Sequence, residues 1–302
     1  MTTFSNSSRA RPRRSAIYMP ASNLRALAKA KTLSADVLIF DLEDAVAPDV
    51  KESARAAAVA AAKSGAYGSR DILIRVNGLD TEWFADDISA VAASGADGVV
   101  LPKVNSASDV QSTDQKLRAV GAPDELILWA MMETPKGILA AADIAASSRL
   151  AGMIIGTADL AKDLHCAHPL DRGPMILSLQ TCILAARANG LWVLDGVHID
   201  LEDDRGFEAV CRQGKELGFD GKTLIHPKQI AIANEVFAPS AEDVDRARHL
   251  INQHRKAIAA GKGITVVDGR LVESLHVHEA EQLIASAMAI EELERDAADV
   301  QK

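Results

Sequence analysis

Two carboxylates pose the chemical question in this chain. Glu133 closes the apolar run Leu126–Met132, and Asp159 lies just beyond the apolar run Met153–Ile155. Both runs are too short and too evenly apolar for amphipathic helices, and they read as buried strands. Between them, Thr134-Pro135 is a helix start, with Thr as N-cap and Pro at the first helical position. An Ala- and Ile-rich helical segment follows. The unit is strand–helix–strand with an acid at the exit of each strand. Neighbouring parallel strands lie about 4.8 Å apart, so the two acids can converge on one small volume. Two oxygens at about 2.0–2.1 Å, with water or substrate completing the shell, is a usual way to hold Mg²⁺. In the alternative reading, Glu133 is a solvated loop acid and Asp159 a helix N-cap. Spacing alone leaves both open.

Two cations sit at comparable places, Arg75 within ILIRVNG and Lys103 within GVVLPKV. A guanidinium inside an apolar strand needs an anionic partner, and its fork matches a carboxylate. That partner can be a substrate carboxylate, or an internal acid among Asp41, Glu43 and Asp44 of VLIFDLEDAV. The same three acids can surround a metal site through water or cap the next helix. His165, Cys166 and His168 lie in a polar loop with no second pair at zinc-site spacing. His276 and His278 alternate on a short segment that reads as extended. There is no GxSxG, and Cys166 has no evident base, so nucleophilic hydrolysis has no sequence signature.

The strand-end polar residues repeat. In order they are Asp41, Arg75, Lys103, Glu133, Asp159, Asp195 and His226, at intervals by subtraction of 34, 28, 30, 26, 36 and 31 residues. An eight-unit barrel of about 250 residues needs roughly 31 per strand–helix unit. With a first strand at Ala16–Pro20 the count reaches eight. An open doubly wound sheet also alternates in this way, but no GxGxxG follows the first strand. The expected fold is an α/β (β/α)8 TIM barrel, whose site lies at the C-terminal ends of the strands.

The expected division is a disordered arm over 1–14, a catalytic barrel over 15–238 and a C-terminal extension over 239–302. The arm, MTTFSNSSRARPRR, has four arginines, no acid and no apolar face. In the extension, Ser240 caps a polar helix over Ala241–Ala260, and Asp268-Gly269 is a hairpin turn signal before a last helix. A net charge of −9 argues against general nucleic-acid binding. Three cysteines form no paired framework, which fits a cytoplasmic setting. No apolar run approaches the roughly 20 residues that span a bilayer.

The strings RSAIYMPAS, VLIFDLEDAV, ILIRVNG, VVLPKV, METPKG, GTADLAKDL, LDGVHID and FDGKTLIHPKQI, in that order, closely resemble the citrate lyase β-subunit and malyl-CoA lyase family, within the HpcH/HpaI aldolase–citrate lyase superfamily. The resemblance runs from about Arg14 to the C-terminus. It implies a Mg²⁺-dependent barrel enzyme, trimeric or hexameric, that binds a CoA thioester and a small oxo acid. It implies Glu133 and Asp159 as metal ligands, Arg75 as the substrate-carboxylate arginine, and Tyr18 and Lys29 near CoA. Longer relatives carry a catalytic aspartate in a GKMxDxP-like string near the C-terminus, which closes over a neighbouring subunit. Here the string is GRLVESLHV, with Glu273 at that place. The implied reaction is retro-Claisen cleavage of a malyl-, citramalyl- or citryl-CoA. Alternatives are thioester hydrolysis at the same metal, a pyruvate-type aldolase, or a non-catalytic subunit of a complex. The aldolase pattern D-x-E-H is absent, since DLEDAV has no histidine there.

Overall fold

The computed structural model describes residues 11–259, 265–267 and 269–300. They fall into two compact units, Arg13–Phe237 and Ala238–Val300.

In the first unit eight parallel strands close a barrel in chain order. They are β1 (Ser15–Pro20), β2 (Val37–Asp41), β3 (Asp71–Arg75), β4 (Gly98–Leu101), β5 (Ile127–Met132), β6 (Leu150–Ile155), β7 (Trp192–Asp195) and β8 (Gly221–Leu224). β8 pairs back onto β1, with Ser15 opposite Lys222 and Ala16 opposite Thr223. The α-helices between and after them are α1 (Leu24–Ala30), α2 (Lys51–Lys63), α3 (Phe84–Ala92), α4 (Ala107–Ala119), α5 (Pro135–Leu139), α6 (Ala141–Ala145), α7 (Thr157–Asp163), α8 (Ile176–Ala188), α9 (Asp204–Leu217) and α10 (Ile230–Phe237). The expected single helix after Thr134 is two short helices. At Ala140 the N–H is shared between the Lys136 and Gly137 carbonyls, and the backbone leaves helical geometry there.

The strands are buried on both faces, as parallel strands covered by helices must be, and their period of two sorts the side chains. Ala16, Val37, Ile39, Leu73, Val100, Trp129, Met131, Ile154 and Leu194 fill the barrel interior. Alternate residues such as Ile17, Leu38, Phe40, Ile74 and Val99 pack outward in the main core. The same parity decides which strand-end residues face the interior: Tyr18, Asp41, Arg75 and Glu133 continue the inner rows, while Asp195 and Lys222 do not.

Arg13 and Arg14 depart from the expected disordered arm, whose residues 1–10 lie outside the described ones. Both are buried, with Arg13 on Asp71 at 2.7 Å and Arg14 on Asp36 at 2.9 Å. Composition could not show this, because the partner acids belong to β3 and to the residue before β2, distant in sequence.

The second unit contains α11 (Ala241–Ala259), the antiparallel pair β9 (Thr265–Val267) and β10 (Arg270–Val272), and α12 (Ser274–Val300). Ser240 caps α11: its hydroxyl accepts the Asp243 N–H at 3.0 Å. Asp268 of the hairpin turn lies outside the described residues. α11 and α12 pack through Ala247, Ile251 and Ala280. His276 and His278, expected on an extended segment, lie in α12. Among the described residues no helix is long and apolar enough to cross a membrane.

Candidate active site

Three inward-facing strand ends meet at the C-terminal mouth of the barrel. Arg75, at the end of β3, grips Asp41 at the end of β2 through two parallel bonds, Nε and Nη2 each 2.7 Å from a carboxylate oxygen. Its Nη1 lies 2.9 Å from Glu43, and its guanidinium sits 4.7 Å over the Tyr18 ring. The Tyr18 hydroxyl points to the Met131 sulfur at 3.8 Å. Burial raises the Tyr18 pKa, and the Arg75 charge only partly opposes the rise. The internal ion pair is therefore formed; its bonds to Asp41 take two of the five guanidinium N–H groups, and Nη1, beside Glu43, donates to the Met131 sulfur at 3.7 Å.

Asp41 is not available to a metal's surroundings. Its oxygens accept the two Arg75 bonds and the N–H groups of Glu43 and Ala45, at 2.9 and 3.3 Å, which fills its four acceptor directions. Glu43 is committed through Oε1, 2.6 Å from the Lys103 ammonium, while its buried Oε2 lies 2.9 Å from Arg75 Nη1 and accepts no hydrogen bond. Burial opposes the charge on Lys103, but its bond to Glu43 holds the pKa above the ordinary lysine value. Asp44 is exposed, 3.7 Å from the same ammonium. All three acids thus lie against the cations of the mouth.

Glu133 is no solvated loop acid: it is 1% exposed. Oε1 accepts the Lys103 N–H at 2.7 Å, and Oε2 lies against Gly156. Burial pushes its carboxyl up to about 7, with the negative charges of Glu43 and Asp159 adding to the rise. Asp159 is not an N-cap. Gly156 holds that position, and Asp159 is the third residue of α7, half-buried and close enough for its charge to act on Glu133. Two carboxylates that repel each other, one of them buried, form a hard-oxygen donor set suited to a divalent cation. Among the described residues no third His, Cys, Asp or Glu joins them in a metal-holding group. Glu133 and Asp159 could therefore hold Mg²⁺ with the remaining positions left to water and substrate.

Gly156 sets the fit of this corner. A Cβ there would meet Glu133 Oε2 at 2.3 Å and Glu133 Cβ at 2.5 Å. Its φ of −96° suits any residue, so the demand for glycine is steric. Gly156→Ala should displace Glu133 and lower metal-dependent turnover by about 100-fold, as misplacements near 1 Å do. Steady-state kinetics with a thermal melt checks this, and activity within threefold of the parent would refute it.

The other expected residues lie elsewhere. Lys29 is exposed in the last turn of α1, whereas Tyr18 lies inside the mouth beneath Arg75. Glu273 is exposed immediately before α12, its N–H donating to His276 Nδ1 at 3.1 Å. His226 caps the turn after β8, its Nδ1 accepting the Lys228 N–H at 3.2 Å. Asp195 faces outward, where it joins Arg172 at 2.6 Å and Lys222 at 2.9 Å under α9. It is a structural acid.

Lys51 is a residue that sequence reading missed. It is buried at the start of α2, and its ammonium donates to the Leu42 and Glu43 carbonyls at 2.7 and 2.8 Å. That pins the loop carrying the mouth acids. A lysine in the first turn of a helix opposes the macrodipole, and that mismatch was the available signal.

The comparisons agree with this architecture. Residues 14–227 match the HpcH/HpaI aldolase/citrate lyase family. The chain is 49% identical over 281 residues to a (3S)-malyl-CoA thioesterase of Cereibacter sphaeroides (strain ATCC 17025 / ATH 2.4.3), covering 93% of this chain and 96% of the relative. It is 36% identical over 306 residues to an L-malyl-CoA/beta-methylmalyl-CoA lyase of Cereibacter sphaeroides (strain ATCC 17029 / ATH 2.4.9), covering 93% and 96%. The crystal structure of CitE from Mycobacterium tuberculosis with magnesium, acetoacetate and coenzyme A superposes with a TM-score of 0.75 at 31% identity, covering 91% of this chain and 97% of that one. A closed eight-stranded barrel with carboxylates gathered at its mouth, aligned along most of its length with such relatives, belongs to the HpcH/HpaI aldolase/citrate lyase family.

Proposed function

We propose that this chain is a Mg²⁺-dependent enzyme of short 3-hydroxyacyl-CoA esters of the malyl type, and that it cleaves their C–C bond by retro-Claisen chemistry. The observation that carries the reading is the convergence at one mouth of a buried Glu133, a nearby Asp159 and the inward-facing Arg75. The magnesium in the CitE structure supports the metal, and the malyl-CoA relatives support the ester.

Mg²⁺ held by Glu133 and Asp159 would supply Lewis acidity to the substrate's hydroxyl and adjacent carboxylate. Arg75, oriented by Asp41, uses its remaining N–H groups to clamp that carboxylate. Tyr18 and Met131 wall the guanidinium and limit its contact with water. The hydroxyl proton passes to solvent water as the C–C bond breaks; the C–C electron pair moves onto the thioester fragment as its enolate, and the carbinol carbon becomes the carbonyl carbon of the oxo acid. The resulting enolate takes a proton, for which Glu273 of a neighbouring subunit in a trimer or hexamer is the proposed donor. Lys29 contributes to CoA binding, and the protein acts in the cytoplasm.

Thioester hydrolysis is the second reading, favoured by the 49% identity to a malyl-CoA thioesterase. Incubation with Mg²⁺ and malyl-, citramalyl- and citryl-CoA separates the two. Free oxo acid without free thiol means C–C cleavage; free thiol without oxo acid means hydrolysis and overturns the lyase reading. No turnover of any of the three, with no Mg²⁺ binding, would leave a non-catalytic subunit.

A further inference from the structure

The turn leaving β4 has an uncommon backbone. Lys103 has a φ of 52°, one of three non-glycine residues with positive φ among the described residues. The left-handed region is sterically unfavourable for an L-residue with a Cβ, so something must hold the turn there. Its main-chain N–H is aimed at Glu133 Oε1, 2.7 Å away. Its ammonium reaches Glu43 Oε1 at 2.6 Å, while Glu43 Oε2 lies 2.9 Å from Arg75 and the Glu43 carbonyl is fixed by Lys51. On the other side, Asn105 Nδ2 donates to the Lys103 carbonyl at 2.9 Å, and Thr134 Oγ1 donates to Asn105 Oδ1 at 2.7 Å. The peptide is thus anchored both to the Arg75 acids and to the residue that follows Glu133.

We infer that Lys103 is a positioning residue for Glu133: its ammonium, tied to Glu43, stabilises a left-handed turn whose N–H fixes Oε1 and leaves Oε2 for the metal. The inference rests on Glu133 being a metal ligand. It carries a sign that electrostatics alone would reverse. Removing a cation beside a metal site should tighten the binding of another cation, whereas loss of positioning should weaken it.

Mn²⁺ binding to the full chain, followed by the electron paramagnetic resonance of free Mn²⁺, distinguishes the two. Lys103→Met removes the tie but keeps the Cβ that disfavours the left-handed turn, and its affinity should fall about tenfold, as with other residues that orient a ligand. Lys103→Gly removes the tie and the conformational cost together, and should bind within threefold of the parent or more tightly. Unchanged or tighter binding by Lys103→Met overturns the inference, as does an equal fall in both variants. If the parent binds no Mn²⁺, or Glu133→Gln binds it as well as the parent, the metal reading itself has failed and the inference falls with it.

Discussion

Glu133→Gln is expected to reduce Mg²⁺-dependent turnover by at least about 10³-fold, because the lost metal stabilisation is worth several kcal/mol and each 1.36 kcal/mol is tenfold. Asp159→Asn should act alike. The stability of the Gln variant should move the other way. Without a cation, burial pushes the Glu133 carboxyl up to about 7, from an ordinary value of 4.5. The folded state therefore holds this proton more tightly than the unfolded chain does. Ionisation of Glu133 destabilises the fold progressively as pH rises from about 4.5 through about 7, and above that range the whole cost is present. In cation-free buffer at pH 8, Glu133→Gln should melt at or above the parent temperature. Mg²⁺ should close that gap in the parent alone, and its affinity should rise with pH through about 7 because binding expels the proton. A Gln variant that melts well below the parent at pH 8, or one that stays active, would sink the assignment.

The second large effect concerns an acid that does no chemistry. Asp195 is fully buried between Arg172 and Lys222. Burial alone would raise its pKa, but the two cations outweigh burial and hold it below the ordinary value of 3.8. Asp195→Asn leaves two buried cations without their shared partner, a change that costs about 3–5 kcal/mol. In a domain of this size that is a melting-temperature loss on the order of 10 °C. The depressed pKa fixes the pH window. The stabilisation is complete above the unfolded carboxyl value and is lost as pH falls through the lower folded one. The gap between parent and variant should thus be widest near neutrality and shrink below about pH 4, close to the ordinary carboxyl value. A loss under 2 °C at pH 7 would show that the cations find other partners.

These two acids mark where sequence reading stops. Both stand at strand ends, with cations nearby in space, and the regular spacing of such residues was enough to count eight barrel units. Short apolar runs, the Thr134-Pro135 start and the Ser240 cap are local signals, because strand burial, N-cap bonds and proline geometry act within a few residues. The convergence of Glu133, Asp159 and Arg75 also followed, since a closed parallel barrel brings successive strand ends to one face.

Tertiary structure decided what each polar group faces. A shift of one residue along a strand exchanges interior for exterior, so Asp195 lies under α9 while Glu133 enters the mouth. It also decided partnerships between distant segments: Arg14 with Asp36, Lys51 with the Glu43 carbonyl, and Lys103 with both Glu43 and Glu133. Sequence determined that acids and cations meet at the end of a barrel. Which of them are consumed by one another, and which keep an oxygen free for a metal, depends on side-chain directions and closures that only the folded chain defines.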